Sequence, residues 1–251
     1  MSTESQHHDG WSGDAAAAFA TTHWSVVLAA QGSDSSAAST DLESLFRAYQ
    51  RPLYSFIRRQ GKAHHDAQDL IQAFFHHLLA KEALRAASRQ RGRLRSFFLG
   101  SLKNFLANEH DRTQTLKRGG GQPHLSLDAI ADGATVPEPA AATEPPERLF
   151  DREWAQTIFS NALRRLEQEF AADGKQAQFA ALAPFLSQSP APGDHERLAR
   201  EIGIRSSLMA TVVSRLRRRF RELVRTEIAA TVATPAEVDV ELSYLVELMA
   251  S

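Results

Sequence analysis

Five arginines stand within seven residues at Arg215, Arg217, Arg218, Arg219 and Arg221. A guanidinium is charged at every working pH and presents a planar fork of donors, so the chemistry of such a run is grip on phosphate rather than proton transfer. On a helix these side chains cannot all face a core, and several must project outward. A second candidate set is acidic. Asp66, Asp69 and Gln72 fall at i, i+3 and i+6, which brings two carboxylates and an amide close enough to meet a basic partner surface.

Chemistry of other kinds finds little support. His-Asp pairs occur at His8-Asp9, His65-Asp66 and His110-Asp111, and His76-His77 and Glu109 add possible ligands for a metal-dependent helical phosphohydrolase. Adjacent histidines point to different helix faces, however, and no His-Glu-x-x-His or comparable i, i+4 pair exists. Gly119–Gly121 lacks the downstream Gly-Lys-Ser/Thr of a phosphate loop. The absence of cysteine removes a thiolate metal site, a cysteine nucleophile and a disulfide framework. The expectation is a binding protein and not an enzyme, with no metal and no cofactor.

These residues need helices to position them. From Asp41, with Asp41 or Thr40 as N-cap, Leu42, Leu45, Phe46 and Tyr49 follow the helical period. Pro52 predicts a kink or restart before Leu53, Phe56 and Ile57, and Gly61 ends the segment. Ala67, Leu70, Ile71, Phe74, Phe75, Leu78 and Leu79 mark a second helix over about 66–84. Leu94, Phe97, Phe98, Leu102, Phe105 and Leu106 mark a third over about 94–111, with Phe97 and Phe98 read as core. Nothing competes at strand period, so a three-helix bundle is expected, preceded by a short docking helix over 22–30.

Residues 119–146 hold five prolines and an alanine run, the composition of a semi-extended tether. Helical periodicity resumes with Leu149, Trp154, Ile158, Leu163, Leu166 and Phe170. A shorter helix carries Phe179 and Leu182, and a final one begins at Pro235. Between them, Leu198, Ala199 and Ile202, then Gly203 and Ile204, then Met209, Val213, Leu216 and Phe220 spell a short helix, a glycine turn and a longer basic helix. That is a helix-turn-helix, with Ser206 and Ser207 placed to cap the second helix. The expected layout is all-α: a disordered tail 1–21, a helical domain 22–118, a linker 119–146, a helix-turn-helix domain 147–230 and an acidic extension 231–251.

Charge follows this layout. The net charge is −1, but residues 41–121 carry +8 and 151–228 carry +3, while 1–40, 122–150 and 229–251 carry −4 each. Between Arg197 and Arg225 nine arginines meet only Glu201 and Glu222. Two basic blocks separated by acidic segments suit attraction to a polyanion, which the total conceals. No apolar run approaches the ~20 residues of a membrane span, and the polar start resembles no signal peptide, so a cytoplasmic location without membrane insertion is expected.

With these pieces in order, residues 22–250 resemble a bacterial sigma factor of the sigma-70 family, extracytoplasmic-function type. Asp66-Ala67-Gln68-Asp69-Leu70-Ile71-Gln72-Ala73-Phe74-Phe75 is similar to the family's region 2.2 pattern, Asp-Ala-Glu-Asp-Leu-Val-Gln-Glu-Val-Phe. Arg95-Ser96-Phe97-Phe98 and Lys103-Asn104 resemble its regions 2.3–2.4, and Leu198-Ala199-x-x-Ile202-Gly203-Ile204 with the arginine-rich helix resembles region 4.2. Trp24–Ala30 and Val232–Asp239 match wording found in one branch of that family.

The resemblance implies a transcription initiation factor that docks on core RNA polymerase, on the β′ clamp helices and the β flap, and reads promoter DNA. Asp66, Asp69 and Gln72 would face the polymerase. Arg95, Lys103, Asn104, Asn108, Arg112, Lys117 and Arg118 would contact the −10 element, with lysines and arginines on phosphates and amides on a base edge or flipped base. Arg205, Ser206, Ser207, Ala210, Thr211, Ser214, Arg215, Arg217 and Arg218 would contact the −35 element. An anti-sigma factor is a further implied partner. The chain departs from the pattern where Gln68 and Ala73 replace acids and where Arg205-Ser206-Ser207 and Ala210 open the recognition helix, leaving it poor in base-reading groups. The rival reading is a stand-alone helix-turn-helix regulator whose first domain binds another protein. The acidic extension is expected to pack on the second domain, either screening its basic face or merely extending its core.

Overall fold

The structure, a computed structural model, describes residues 23–32, 36–80, 84, 87–88, 92–118, 144–189 and 191–250. The expected tail 1–21 and residues 119–143 of the expected linker lie outside the described residues. The side chains of Lys117 and Arg118 lie outside them too. All regular structure among the described residues is helical. The elements are α1 (His23–Gly32), α2 (Ser36–Arg59), α3 (His64–Leu79), α4 (Leu94–Arg118), α5 (Pro146–Ala172), α6 (Gln176–Leu182), α7 (Asp194–Ile202), α8 (Met209–Ala229) and α9 (Glu237–Ala250). Short 3-10 turns at Ala183–Leu186 and Ser206–Leu208 follow α6 and precede α8.

Most apolar spacings land where the helical period puts them. Leu42, Leu45, Phe46 and Tyr49 of α2 are buried, as are Ala67, Ile71, Phe74 and Leu78 of α3 and Leu94, Phe98, Leu102 and Phe105 of α4. Phe98 lies in the core and Phe97 packs against its edge, 6.3 Å from Trp24. Several boundaries move. α2 begins at Ser36, so Thr40 and Asp41 lie inside it and neither is its cap. It also runs through Pro52 without a restart. The missing N–H costs one helical bond, while the buried ring and the neighbouring Leu53, Phe56 and Ile57 keep that turn packed. In α5 the inward residues are Phe150, Trp154, Ala155, Ile158, Ala162 and Leu166, whereas Leu163 is exposed.

That register has a cause. α5 is packed on more than one side, against α2, α8 and α9, and its contact with α2 is the most extensive between any two helices. Trp154 meets Tyr49 of α2 while Phe159, five residues on, meets Phe220 of α8. Buried residues from before and after 119–143 therefore belong to one hydrophobic cluster. The described helices do not form the two separately packed units that the sequence suggests, because the apolar surface of α5 is too wide to be covered from its own side of the chain. Backbone bonds add to the join. The Leu94 N–H donates to the Thr231 carbonyl at 2.9 Å, and the Trp24 indole N–H donates to the same carbonyl at 3.1 Å.

Candidate nucleic-acid interface

The helix-turn-helix forms as its glycine demands. Gly203 sits at φ +73°, in the left-handed region, and its N–H and that of Ile204 turn back to the Ala199 carbonyl, at 2.9 Å from Ile204. This closes α7 in the manner of a glycine C-cap and satisfies a carbonyl that would otherwise be orphaned. Leu198 and Ala199 of α7 and Met209, Val213 and Leu216 of α8 are buried, so the two helices share a core and leave one side of α8 in solvent. Ser206 and Ser207 do not cap α8. They occupy the 3-10 turn, exposed, and no side-chain cap bond is made there.

The arginine run divides by angle. At about 100° per residue, Arg218 lies opposite Leu216, whereas Arg217 and Arg219 flank the buried stripe. The structure agrees, with the Arg218 side chain 74 % exposed and Arg219 only 27 %. Arg217, expected on the −35 face, turns inward: its Nε donates to the Phe185 carbonyl at 2.8 Å and an Nη to the Gln188 carbonyl at 2.7 Å. It caps the end of the Ala183–Leu186 turn, and in this structure its guanidinium is engaged by those two carbonyls. Arg219 forms a two-pronged pair with Glu169 of α5, at 2.9 and 2.6 Å, which holds its guanidinium charged more firmly than usual. Arg225 pairs with Asp239 of α9, and the Arg225 guanidinium beside it holds that carboxyl below the ordinary range. What remains facing solvent is Arg205, Ala210, Thr211, Ser214, Arg215, Arg218 and Arg221. The guanidiniums of Arg205, Arg215 and Arg221 make no hydrogen bond or ion pair with other described residues. The acidic extension does pack on α5 and α8, but of the nine arginines between 197 and 225 it engages Arg225 alone. Its screening of the basic face is therefore slight.

Asp66, Asp69 and Gln72 are exposed on the outer face of α3, with His65 Nδ1 3.1 Å from Asp69. Asn104, Asn108 and Arg112 follow at i, i+4 and i+8 along α4 and are all exposed, with Arg112 loosely paired to Glu109 at 3.8 Å. Lys103 is half-exposed, donates to Glu147 at 2.7 Å, and its bond is the main reason that carboxyl is held below the ordinary range.

Arg95 departs from expectation. It is 8 % exposed and donates to Glu241 at 2.6 and 3.3 Å and to Asp151. Arg93 reaches the same Glu241 at 3.0 Å. The Tyr244 ring lies 5.0 Å from the Arg95 guanidinium and its hydroxyl donates to Asp151 at 2.5 Å. Burial, then that bond and the Asp151 charge, push the Tyr244 hydroxyl up to about 12. Arg95 thus makes no contact open to DNA in this arrangement. Glu241 is 1 % exposed, and a carboxylate so placed requires the two guanidiniums beside it. Asp151, Glu241 and Tyr244 escaped the sequence reading because their partner lies 56 to 149 positions away, beyond any periodic signal.

Among the described residues no three His, Cys, Asp or Glu side chains converge as a metal site, and no helix is long and apolar enough to cross a membrane. Compared with known proteins, the chain matches no family model, no curated protein and no solved structure.

Proposed function

We propose that this chain is a sigma factor of the extracytoplasmic-function type, which binds core RNA polymerase and directs initiation at promoters with −10 and −35 elements. The observation that carries the reading is the helix-turn-helix whose solvent side presents Arg205, Arg215, Arg218 and Arg221, three of them with no internal partner. Uncompensated guanidiniums on the outer side of a second helix are the electrostatic footprint of duplex recognition. The exposed Asp66-Asp69-Gln72 face of α3 and the exposed Asn104-Asn108-Arg112 row of α4 support the polymerase and −10 roles in the same chain.

The deciding experiment is reconstitution. The purified chain, added to core polymerase, should co-elute with it and support run-off transcription from promoters recovered by sequencing its DNA-bound sites. A chain that binds duplex DNA alone and leaves core polymerase specificity unchanged is a stand-alone regulator, and the sigma reading fails.

A further inference from the structure

α2 and α5 run antiparallel, so that Arg51 meets Glu153 and Gln156 while Arg59 reaches the Glu144 carbonyl. Between them and the adjoining parts of α1 and α8 lies an open cavity of about 1060 Å³. That volume is at the upper end of the range taken by small-molecule sites. Its α5 wall forms two rows. Gln156, Ser160 and Arg164 repeat at i, i+4 and i+8, and Thr157, Asn161 and Arg165 repeat beside them. Neither row holds an acid or a large apolar group, because Glu147, Asp151, Glu153, Glu167 and Glu169 all lie elsewhere on α5. Arg47 and Arg51, one turn apart on α2, complete the cationic lining, and buried Val26 and Leu45 supply an apolar part.

Four arginines thus line this cavity with one acid, Glu227, which Arg165 already engages at 2.7 Å. Arg164 donates to the neutral Asn161 amide oxygen at 2.6 Å and pairs with no acid among the described residues. Arg47 and Arg51 pair with Glu43 and Glu153, each at 2.6 Å, but both guanidiniums are mostly exposed. Ion pairs of that kind hold weakly and yield to an anion that offers more bonds. A guanidinium fork matches the oxygens of a phosphate two at a time. We propose that this cavity binds a nucleotide carrying at least two phosphates, with Arg47, Arg51 and Arg164 on the phosphates and Gln156, Ser160 and Gln168 on the sugar and base. A bare phosphate or pyrophosphate would leave the amides and the apolar part unmet, so the surplus beyond the arginines points to a nucleotide. Arg205, Arg215, Arg218 and Arg221 do not line the cavity. The site therefore stands apart from the DNA-binding reading, and either can fail without the other.

The test is calorimetric titration of the full-length chain with ADP, GDP, CDP and UDP, and separately with adenosine and with pyrophosphate. At least one nucleoside diphosphate should bind about tenfold or more tighter than adenosine or pyrophosphate, and should raise the unfolding midpoint. Arg47 and Arg164 are exposed, so their substitution leaves the fold intact. Arg47→Ala and Arg164→Ala should each weaken binding by about tenfold, and Arg164→Lys by less, since the charge stays and the fork is lost. Lys62→Ala, at an exposed cation beyond the end of α2, should leave binding unchanged. Failure of all four nucleotides to bind would overturn the proposal, as would a loss shared equally by Lys62→Ala. Pyrophosphate binding as tightly as the nucleotides would make the cavity a general anion trap and overturn the assignment. Arg164-dependent capture of a mixed-sequence oligonucleotide, with no nucleotide bound, would make it part of a nucleic-acid track and overturn it equally. Duplex binding measured alongside reports on the DNA-binding reading by itself.

Discussion

Trp154 lies flat against Tyr49, with ring centroids 4.3 Å apart and planes within 16°, and the two residues are buried. On its other side Tyr49 stacks on Phe98, at 4.1 Å and 26°. The three rings join α4, α2 and α5 into one aromatic column, so the helices before and after 119–143 share their largest side chains. Stacked aromatic pairs add to the area they bury, and removing the central members opens a cavity that close-packed neighbours fill only in part. Trp154→Ala should therefore cost about 3–5 kcal/mol and lower the unfolding midpoint of the whole chain. Calorimetry of the wild type should show a single cooperative transition. Two separable transitions, with only the later one moved by Trp154→Ala, would mean that the halves fold apart.

Tyr49 supports a second test of the same column. Its hydroxyl is buried with no hydrogen-bond partner, and burial pushes it well above its ordinary range. An unmet polar group in such a site opposes folding, so removing it while keeping the ring relieves that opposition. Tyr49→Phe should be neutral or stabilising by about 1 kcal/mol, measured by denaturant unfolding. A loss of stability would show that the hydroxyl has a partner in solution.

Much of this was legible in the sequence. Ala67, Ile71, Phe74 and Leu78 repeat at +4, +3 and +4 and all point inward, so the outward set Asp66, Asp69 and Gln72 followed from the same period. Gly203 announced its own turn. What the spacing did not convey is pairing across the chain. Nothing near Arg95 distinguishes an arginine that meets Asp151 and Glu241 from one that meets DNA, since the choice is made by how α5 and α9 arrive. Arg217 is an intermediate case. Its angle beside Leu216 was legible, and its carbonyl partners at Phe185 and Gln188 were not.

Arg217 and Arg218, adjacent in the chain, should behave as opposites. Arg217 satisfies two carbonyls at the end of a 3-10 turn, so Arg217→Ala should cost about 1.5–3 kcal/mol and leave the salt dependence of duplex binding unchanged. Arg218 is mostly exposed and only loosely paired with Glu222 at 3.7 Å. Arg218→Ala should change stability by less than about 0.5 kcal/mol and reduce the slope of log affinity against log salt by about one. The pair of measurements is thermal unfolding and a salt titration of duplex binding. If the two variants exchange these signatures, the division of the arginine run is wrong.

The turn of the helix-turn-helix can be tested without touching any side-chain contact. A Cβ at Gly203 meets nothing within 4 Å, so Gly203→Ala adds no clash and leaves only the strain of φ +73°. That strain is about 1–2 kcal/mol for an L-residue in the left-handed region. The variant should lose about that much stability, and its duplex affinity should fall only as far as α7 and α8 lose their mutual angle. A destabilisation several times larger would require a contact at Gly203 that the structure does not contain.

His23, at the start of α1, should make stability depend on pH. Its Nδ1 is buried without a partner, and burial lowers its pKa below the ordinary 6.5, against a smaller opposing pull from Glu227. In the unfolded chain the imidazole takes a proton near that ordinary value, while in the folded chain it stays neutral to lower pH. Between the two, the unfolded state binds more protons, so stability conferred by neutral His23 is present above that window and lost as pH falls through it. Wild type should lose more stability than His23→Leu when pH is lowered from about 8 to about 5, and the two curves should run parallel at the alkaline end. Groups remote from His23 are common to both curves, so the difference reports His23 together with its coupling to Glu227. Parallel curves across the whole range would show that His23 takes its proton equally readily folded and unfolded, with the pull of Glu227 cancelling the effect of burial.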